Sequence, residues 1–248
     1  MSIAEKLTTI AENQQRVYDA AYDKSKNDFW DVFQNYGERK GYQAAFREWG
    51  SAEIAPKHQV KPSSSYITNM FTNAKLITKL EAQHFDLSGA TVSQTNANNG
   101  NRQVFMGCSA LVEIEDIGLP AGYYSETFSG CTSLETIAIL RFDPEGTTKV
   151  SGGAFTNCTS LANINEISGV IGVDINFQAC PLTLASAMSI IAHLSRDVCG
   201  TITFSDTTKG YLNSAGNSLY KDKDNNPISW IDYMRTIGPD DTVGWSAG

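Results

Sequence analysis

A chain of 248 residues with 41% apolar content can bury one large core or two small ones, and its net charge of −8 (27 acidic against 19 basic residues) argues against a phosphate-binding surface and hence against nucleic acid as partner. No run of Lys or Arg reaches five, and no apolar run approaches the roughly 18 residues that a membrane helix needs, so membrane insertion is not expected. The opening MSIAEKLTTIAENQQ carries neither a basic nor an apolar signal region, which predicts folding in the cytoplasm of the producer.

Residues 1–28 read as a helix. Ser2 followed by Glu5 resembles a capping box. Ile3, Leu7, Ile10, Gln14, Val17 and Ala21 fall at alternating steps of four and three, a heptad seam with one polar insertion, and such a seam can form a coiled coil in which the glutamine fixes register or oligomer number. The plainer alternative is an amphipathic helix docked on its own domain. Residues 29–66 are dense in aromatics (Phe29, Trp30, Phe33, Tyr36, Tyr42, Phe46, Trp49) and read as a small subdomain core rather than a platform for sugars or bases.

Residues 67–205 contain a repeat. Phe105, Phe128, Phe155 and Phe177 are each followed three residues later by Cys108, Cys131, Cys158 and Cys180; then come Leu111, Leu134 and Leu161, then Ile114, Ile137 and Ile164. A worn copy is MFTNAKLITKL, with Phe71, Ala74 and Ile77 at the same offsets. A period of 20 to 30 residues implies a solenoid whose coils bury their apolar sides against each other. In that setting cysteine is a compact hydrophobe filling a slot too narrow for leucine, and the Gly or Asn before it suits a left-handed bend. The five cysteines, spaced 23, 27, 22 and 19 residues apart with no CxxC pair, match neither a zinc site nor a disulfide framework. FQACPLTLASAMSIIAHL continues as a helix, with Leu184, Met188, Ile191 and Leu194 at helical spacing, and TITFSDTTKGYL reads as a last strand with Ile202 and Phe204 facing in. Residues 206–248 are expected to cap the final coil.

GAFTNCTSLANI and ETFSGCTSLETI resemble the units of BspA-like (Treponema-type) leucine-rich repeats, AFxxCxxLxxIxLP, although the Leu-Pro step survives only as Leu119-Pro120. That resemblance implies an α+β fold: an N-terminal helix able to form a coiled coil, then an irregular leucine-rich-repeat solenoid with a C-terminal cap. A second likeness is carried by NQQRVYDAAYDKSK, FWDVFQNYGERKGYQAAFREW, PKHQVKP and NMF, which are similar to phage and prophage structural proteins from hosts with Gram-positive walls; DNNPISWIDYMRTIGPDDTVGW departs from them. It implies a non-enzymatic virion protein of tail or fibre, partnered by other tail proteins and by a bacterial surface glycan or protein. A homotrimer is the usual state of such fibres. The alternative reading is a bacterial surface adhesin or interaction scaffold of the BspA-like class.

Catalytic constellations are not evident. GxSxG, HExxH, a Walker loop and GxGxxG are missing from the sequence, and the clustered carboxylates Glu113, Glu115 and Asp116 lack a cleft, with Glu113 and Glu115 predicted to share one strand face. His193 with Ser195 and Asp197, or with Cys199, lies too close in sequence to form a triad by spacing alone, and DKDNN at 222–226 fails the EF-hand pattern at Pro227 and Tyr233. Neither cofactor nor metal is therefore expected. The candidate binding residues come from alternation about the inward isoleucines: Glu113, Glu115, Thr136, Ala138, Asn163, Asn165, Thr201 and Thr203 are expected to align as one outward stripe suited to hydroxyl-rich partners.

Overall fold

The computed structural model describes residues 42, 44–54, 56, 59–62, 66–94, 96, 98, 100–151, 153–215, 219–239 and 244–248. The expected N-terminal helix with Ile3, Leu7, Ile10, Gln14, Val17 and Ala21 lies outside the described residues, as do Phe29, Trp30, Phe33 and Tyr36. What is described is a β-solenoid with few helices.

Its axis is a column of phenylalanine rings. Phe46, Phe71, Phe105, Phe128 and Phe155 stack nearly parallel, with centroids 5.2 to 5.6 Å apart and interplanar angles of 11° to 19°. Offset stacking of this kind gains both burial and favourable ring electrostatics. The column starts before residue 67, with Phe46, and ends at Phe204. Two residues after each ring the backbone is left-handed: Glu48, Asn73, Gly107, Gly130 and Asn157 have φ between 56° and 78°. The Gly and Asn of the repeat thus do what their chemistry predicted. Two residues before the ring it is left-handed again, at Ala44, Asn69, Gln103, Glu126 and Gly153.

This double turn aims three N–H groups of each coil along the axis. Gln103, Phe105 and Gly107 donate to the carbonyls of Ser125, Thr127 and Ser129 at 2.8 to 2.9 Å, and the coils of Phe46 and Phe71 repeat the pattern; in that of Phe128, Phe128 and Gly130 do so while Glu126 N reaches the Ser151 carbonyl at 3.4 Å. Such pairing is what buried backbone groups require. The cysteines bond in the opposite direction. Cys108, Cys131 and Cys158 are buried outside any disulfide, and each Sγ donates to the phenylalanine carbonyl of the coil before it, Phe71, Phe105 and Phe128, at 3.0 to 3.1 Å. Burial pushes the Cys108 thiol up to about 12 and the Cys131 thiol well above its ordinary value. These are packing thiols held protonated, the reverse of a reactive cysteine.

Strands β1 (Lys79–Leu80), β2 (Glu113–Ile114), β4 (Thr136–Arg141) and β6 (Asn163–Ser168) form a parallel sheet in that order, with Leu80, Ile114, Ile137 and Ile164 in one inward row. The strict two-residue alternation expected of these strands does not hold. The next buried residues are Ile117, Leu140 and Ile167, three positions on, while β4 and β6 keep one register throughout, from Ile137↔Ile164 to Ile139↔Glu166. The coil turns a corner there. On the other side of the coil, β3 (Tyr124–Ser125) pairs with β5 (Val150–Ser151), while β7 (Ile175–Phe177), β8 (Thr201–Phe204) and β11 (Ser246–Ala247) make a separate sheet of order β11-β8-β7. Ile202 therefore lies opposite Ile175 and not in the Ile114–Ile137–Ile164 row.

Helices close the edges. Helix α1 (Leu184–Ala192), N-capped by Thr183, takes the place of a fifth strand beside β6: Ile164 N donates to Ser186 Oγ at 3.0 Å, and Thr183 N donates to the Ala162 carbonyl at 2.8 Å. Turning Ser186 to the sheet edge rotates the helix, so Ala187, Ile190 and Ile191 form the buried face, while Leu184 and Met188 are only partly buried and Leu194 lies beyond the helix. In helix α2 (Asp206–Ser214), Thr208 Oγ1 donates to the Leu182 carbonyl at 3.1 Å, and the N-cap Ser205 donates to the Cys180 carbonyl at 2.8 Å. Trp230, opening helix α3 (Trp230–Arg235), sits edge-on against Phe204 at 6.0 Å, and the buried Trp245 donates Nε1–H to the Ser195 carbonyl at 2.9 Å.

Candidate binding surfaces

The expected stripe divides into three places. Lys79, Glu113, Thr136 and Asn163 lie side by side in register along the four-stranded sheet, one residue before the inward row. Lys79 Nζ bridges Glu113 Oε2 at 3.1 Å and Glu115 Oε1 at 2.7 Å, so the two carboxylates do share a face. The Glu115 hydrogen bond is the main cause that lifts the Lys79 ammonium to about 12, and the same lysine, with the Ala82 N–H, holds the Glu115 carboxyl below its ordinary value. Ala138 and Asn165, like Glu115, directly follow an inward isoleucine; Asn165 is exposed and Ala138 partly buried.

Thr201 and Thr203 belong to β8, on the other side of the coil, so the single stripe that would have joined them to Thr136 and Asn163 does not form. The reason is local. Helix α1 ends the first sheet at β6, and the chain re-enters β structure only beside β7. There the two threonines line a groove of about 290 Å³ between β5 and β7, with Ser151, Gly153, Asp174 and Asn176. Asp174 Oδ1 accepts from Thr201 N at 2.7 Å, and the Thr201 hydroxyl meets the Ser246 hydroxyl at 2.8 Å. An adjoining depression of about 210 Å³, sharing Phe155 and Asn176, runs on past Thr156, Asn157 and Gln178.

This groove was not legible as a site, but a signal for it exists. Two residues after Phe177 the repeat has Ala179 in place of Gly or Asn, and Ala179 is not left-handed. An alanine disfavours that conformation by about 1 kcal/mol or more. Around Phe177 the double turn gives way to an ordinary strand, β7, and the axial backbone bonds from the preceding coil are not made. The Phe177 ring tilts 39° from Phe155, and Cys180 Sγ lies 3.9 Å from the Phe155 carbonyl against about 3 Å in earlier coils.

The remaining polar candidates have local partners. His193, the C-cap of α1, contacts the Ser189 carbonyl through Nδ1 at 2.7 Å, and Ser195 Oγ accepts from Asp197 N at 3.1 Å. Asp222 closes the turn between β9 (Tyr220–Lys221) and β10 (Pro227–Ile228), accepting from Asp224 N and Asn226 N at 2.9 and 2.8 Å, bonds that hold its carboxyl below the ordinary value. Among the described residues no group of three or more His, Cys, Asp or Glu stands together as a metal site, and no helix is long and apolar enough to cross a membrane. No family model matches the chain, and neither a curated protein nor a solved structure matches it.

Proposed function

We propose that this chain is a non-enzymatic phage virion protein of tail or fibre that displays its solenoid for attachment to a bacterial surface glycan or protein. Within that reading the solenoid is an irregular leucine-rich-repeat module, residues 1–28 form a coiled coil that makes it a trimer and joins it to other tail proteins, and residues 206–248 are the cap. The observation that carries the reading is the register of Lys79, Glu113, Thr136 and Asn163, an outward row of polar side chains on a parallel sheet fixed by backbone bonds. The repeat and leader likenesses in the sequence support it as well. A rigid row presented in several copies gains avidity without new contacts.

The test is saturable binding of labelled full-length protein to intact cells from a panel of Gram-positive bacteria, beside a variant with Thr136, Asn163 and Asn165 all changed to Lys. Binding to some strains, lost in a folded variant of unchanged mass in solution, is the expected result. No binding to any strain by the trimer overturns attachment and leaves a structural role in a particle. Turbidity loss from purified cell walls overturns the non-enzymatic reading.

A further inference from the structure

The stack meets its own hydrogen-bonding rule in full in the coils of Phe46, Phe71 and Phe105, keeps two of the three bonds in the coil of Phe128, where Glu126 N reaches Ser151 O instead at 3.4 Å, and then stops. By that rule Gly153, Phe155 and Asn157 should donate to the carbonyls of residues 174, 176 and 178, and among the described residues none of these three bonds is made. The same three residues line the groove between β5 and β7 and its continuation. Three consecutive coils show what such a triplet donates to: the carbonyls of every second residue of a doubly turned segment, Ser125, Thr127 and Ser129, spanning the left-handed Glu126, in the case of Gln103, Phe105 and Gly107.

We propose that this groove binds a peptide segment turned as those coils are, which offers its alternate carbonyls to the unmade donor row of Gly153, Phe155 and Asn157. The ligand carries small side chains, because Ala154 and Ile175 close the floor, and a cationic one at the end where Asp174 stands with a single oxygen engaged by Thr201. A sugar ring fits less well: the aromatic residue in the lining, Phe155, is 2% exposed and offers no face for stacking. The site lies on the opposite side of the coil from the Lys79–Asn163 row and stands or falls independently of it.

Two measurements on the full-length protein test it by NMR. In the free protein the amides of Gly153, Phe155 and Asn157 should exchange about a hundredfold faster than those of Phe105, Gly107, Phe128 and Gly130; equal protection overturns the open donor row. The second probe is acetyl-Ser-Lys-Thr-Ala-Ser-amide, a copy of residues 125–129 with lysine for Glu126 and alanine for Phe128. It should shift those three amides saturably, with a dissociation constant on the order of 1 mM, as a few exposed hydrogen bonds allow. Ser151→Arg, which fills the groove, should weaken this about tenfold or more, and Thr136→Arg on the other sheet should leave it unchanged. Absence of shifts, shifts that survive Ser151→Arg, or tighter binding of cellotetraose at the same amides overturns the proposal.

Discussion

The coils of Phe128 and Phe177 share Phe, Cys and a buried floor, yet only one follows the stacking rule. The first has left-handed residues on both sides of its ring, Glu126 and Gly130, accepts all three axial bonds from the coil before it and donates three to the next, that of Glu126 one residue out of register; the second has Ile175 and Ala179, and accepts none from the coil before it. The apolar pattern is the same in both. The ring column alone keeps coils adjacent, and the conformation of two flanking residues decides whether their backbones also join.

The comparison can be broken most severely at the column. Phe128→Ala removes a ring stacked on both sides by Phe105 and Phe155 and should cost about 4 kcal/mol in urea unfolding. A loss under about 1 kcal/mol would show that the column does not hold the coils. Cys131→Ala should cost roughly 1 to 2 kcal/mol by the same measurement, from a small cavity and a lost bond to the Phe105 carbonyl. Cys180→Ala, with its sulfur 3.9 Å from Phe155 O, should cost visibly less.

Alkaline pH sharpens the same point. The folded-state thiols of Cys108, Cys131 and Cys180 are raised, the first two by burial and Cys180 by contact with the Cys158 thiol together with burial. The folded chain thus binds more protons than the unfolded one above the unfolded thiol value of about 8.5. Their contribution is fully present below that pH and is lost as pH rises toward the folded values, near 12 for Cys108. The slope should approach about 1.4 kcal/mol per pH unit for each thiol, and should be shallower in Cys131→Ala. Native protein should react with a thiol reagent at the exposed Cys199 before the buried four.

The smallest expected effect separates backbone from space. At Gly130 (φ 78°) an added Cβ meets nothing nearer than 3.5 Å, so Gly130→Ala should cost about 1 kcal/mol of conformational strain alone. Asn157→Gly, at φ 59°, should change unfolding by less than about 0.5 kcal/mol.

Much of the column could be read in advance because each coil marks itself by Phe, Cys, Leu and Ile at steps of three. Phe46 escaped that reading because Trp49 stands where the cysteine would be. The corner is also written in the sequence, as Ile114-x-x-Ile117, Ile137-x-x-Leu140 and Ile164-x-x-Ile167, a spacing of three where a flat strand would give two. Thr201 and Thr203 were misplaced because a strand shows which residues face out but not which sheet it joins, and Ser186, the residue that ended the first sheet, reads in sequence as an ordinary helical serine.

The axial bonds run one way. In each, the donor belongs to the earlier coil and the acceptor to the later one. A ribosome delivers the earlier coil first, so a nascent chain halted inside the stack ends on three amide groups whose acceptors have not yet been synthesised. Synthesis therefore completes each coil only by supplying the next. The coil of Phe155 is the exception, since its amides find no acceptor in the following coil even when the chain is finished. At that boundary alone a paused chain leaves its axial amides as they stand in the finished protein.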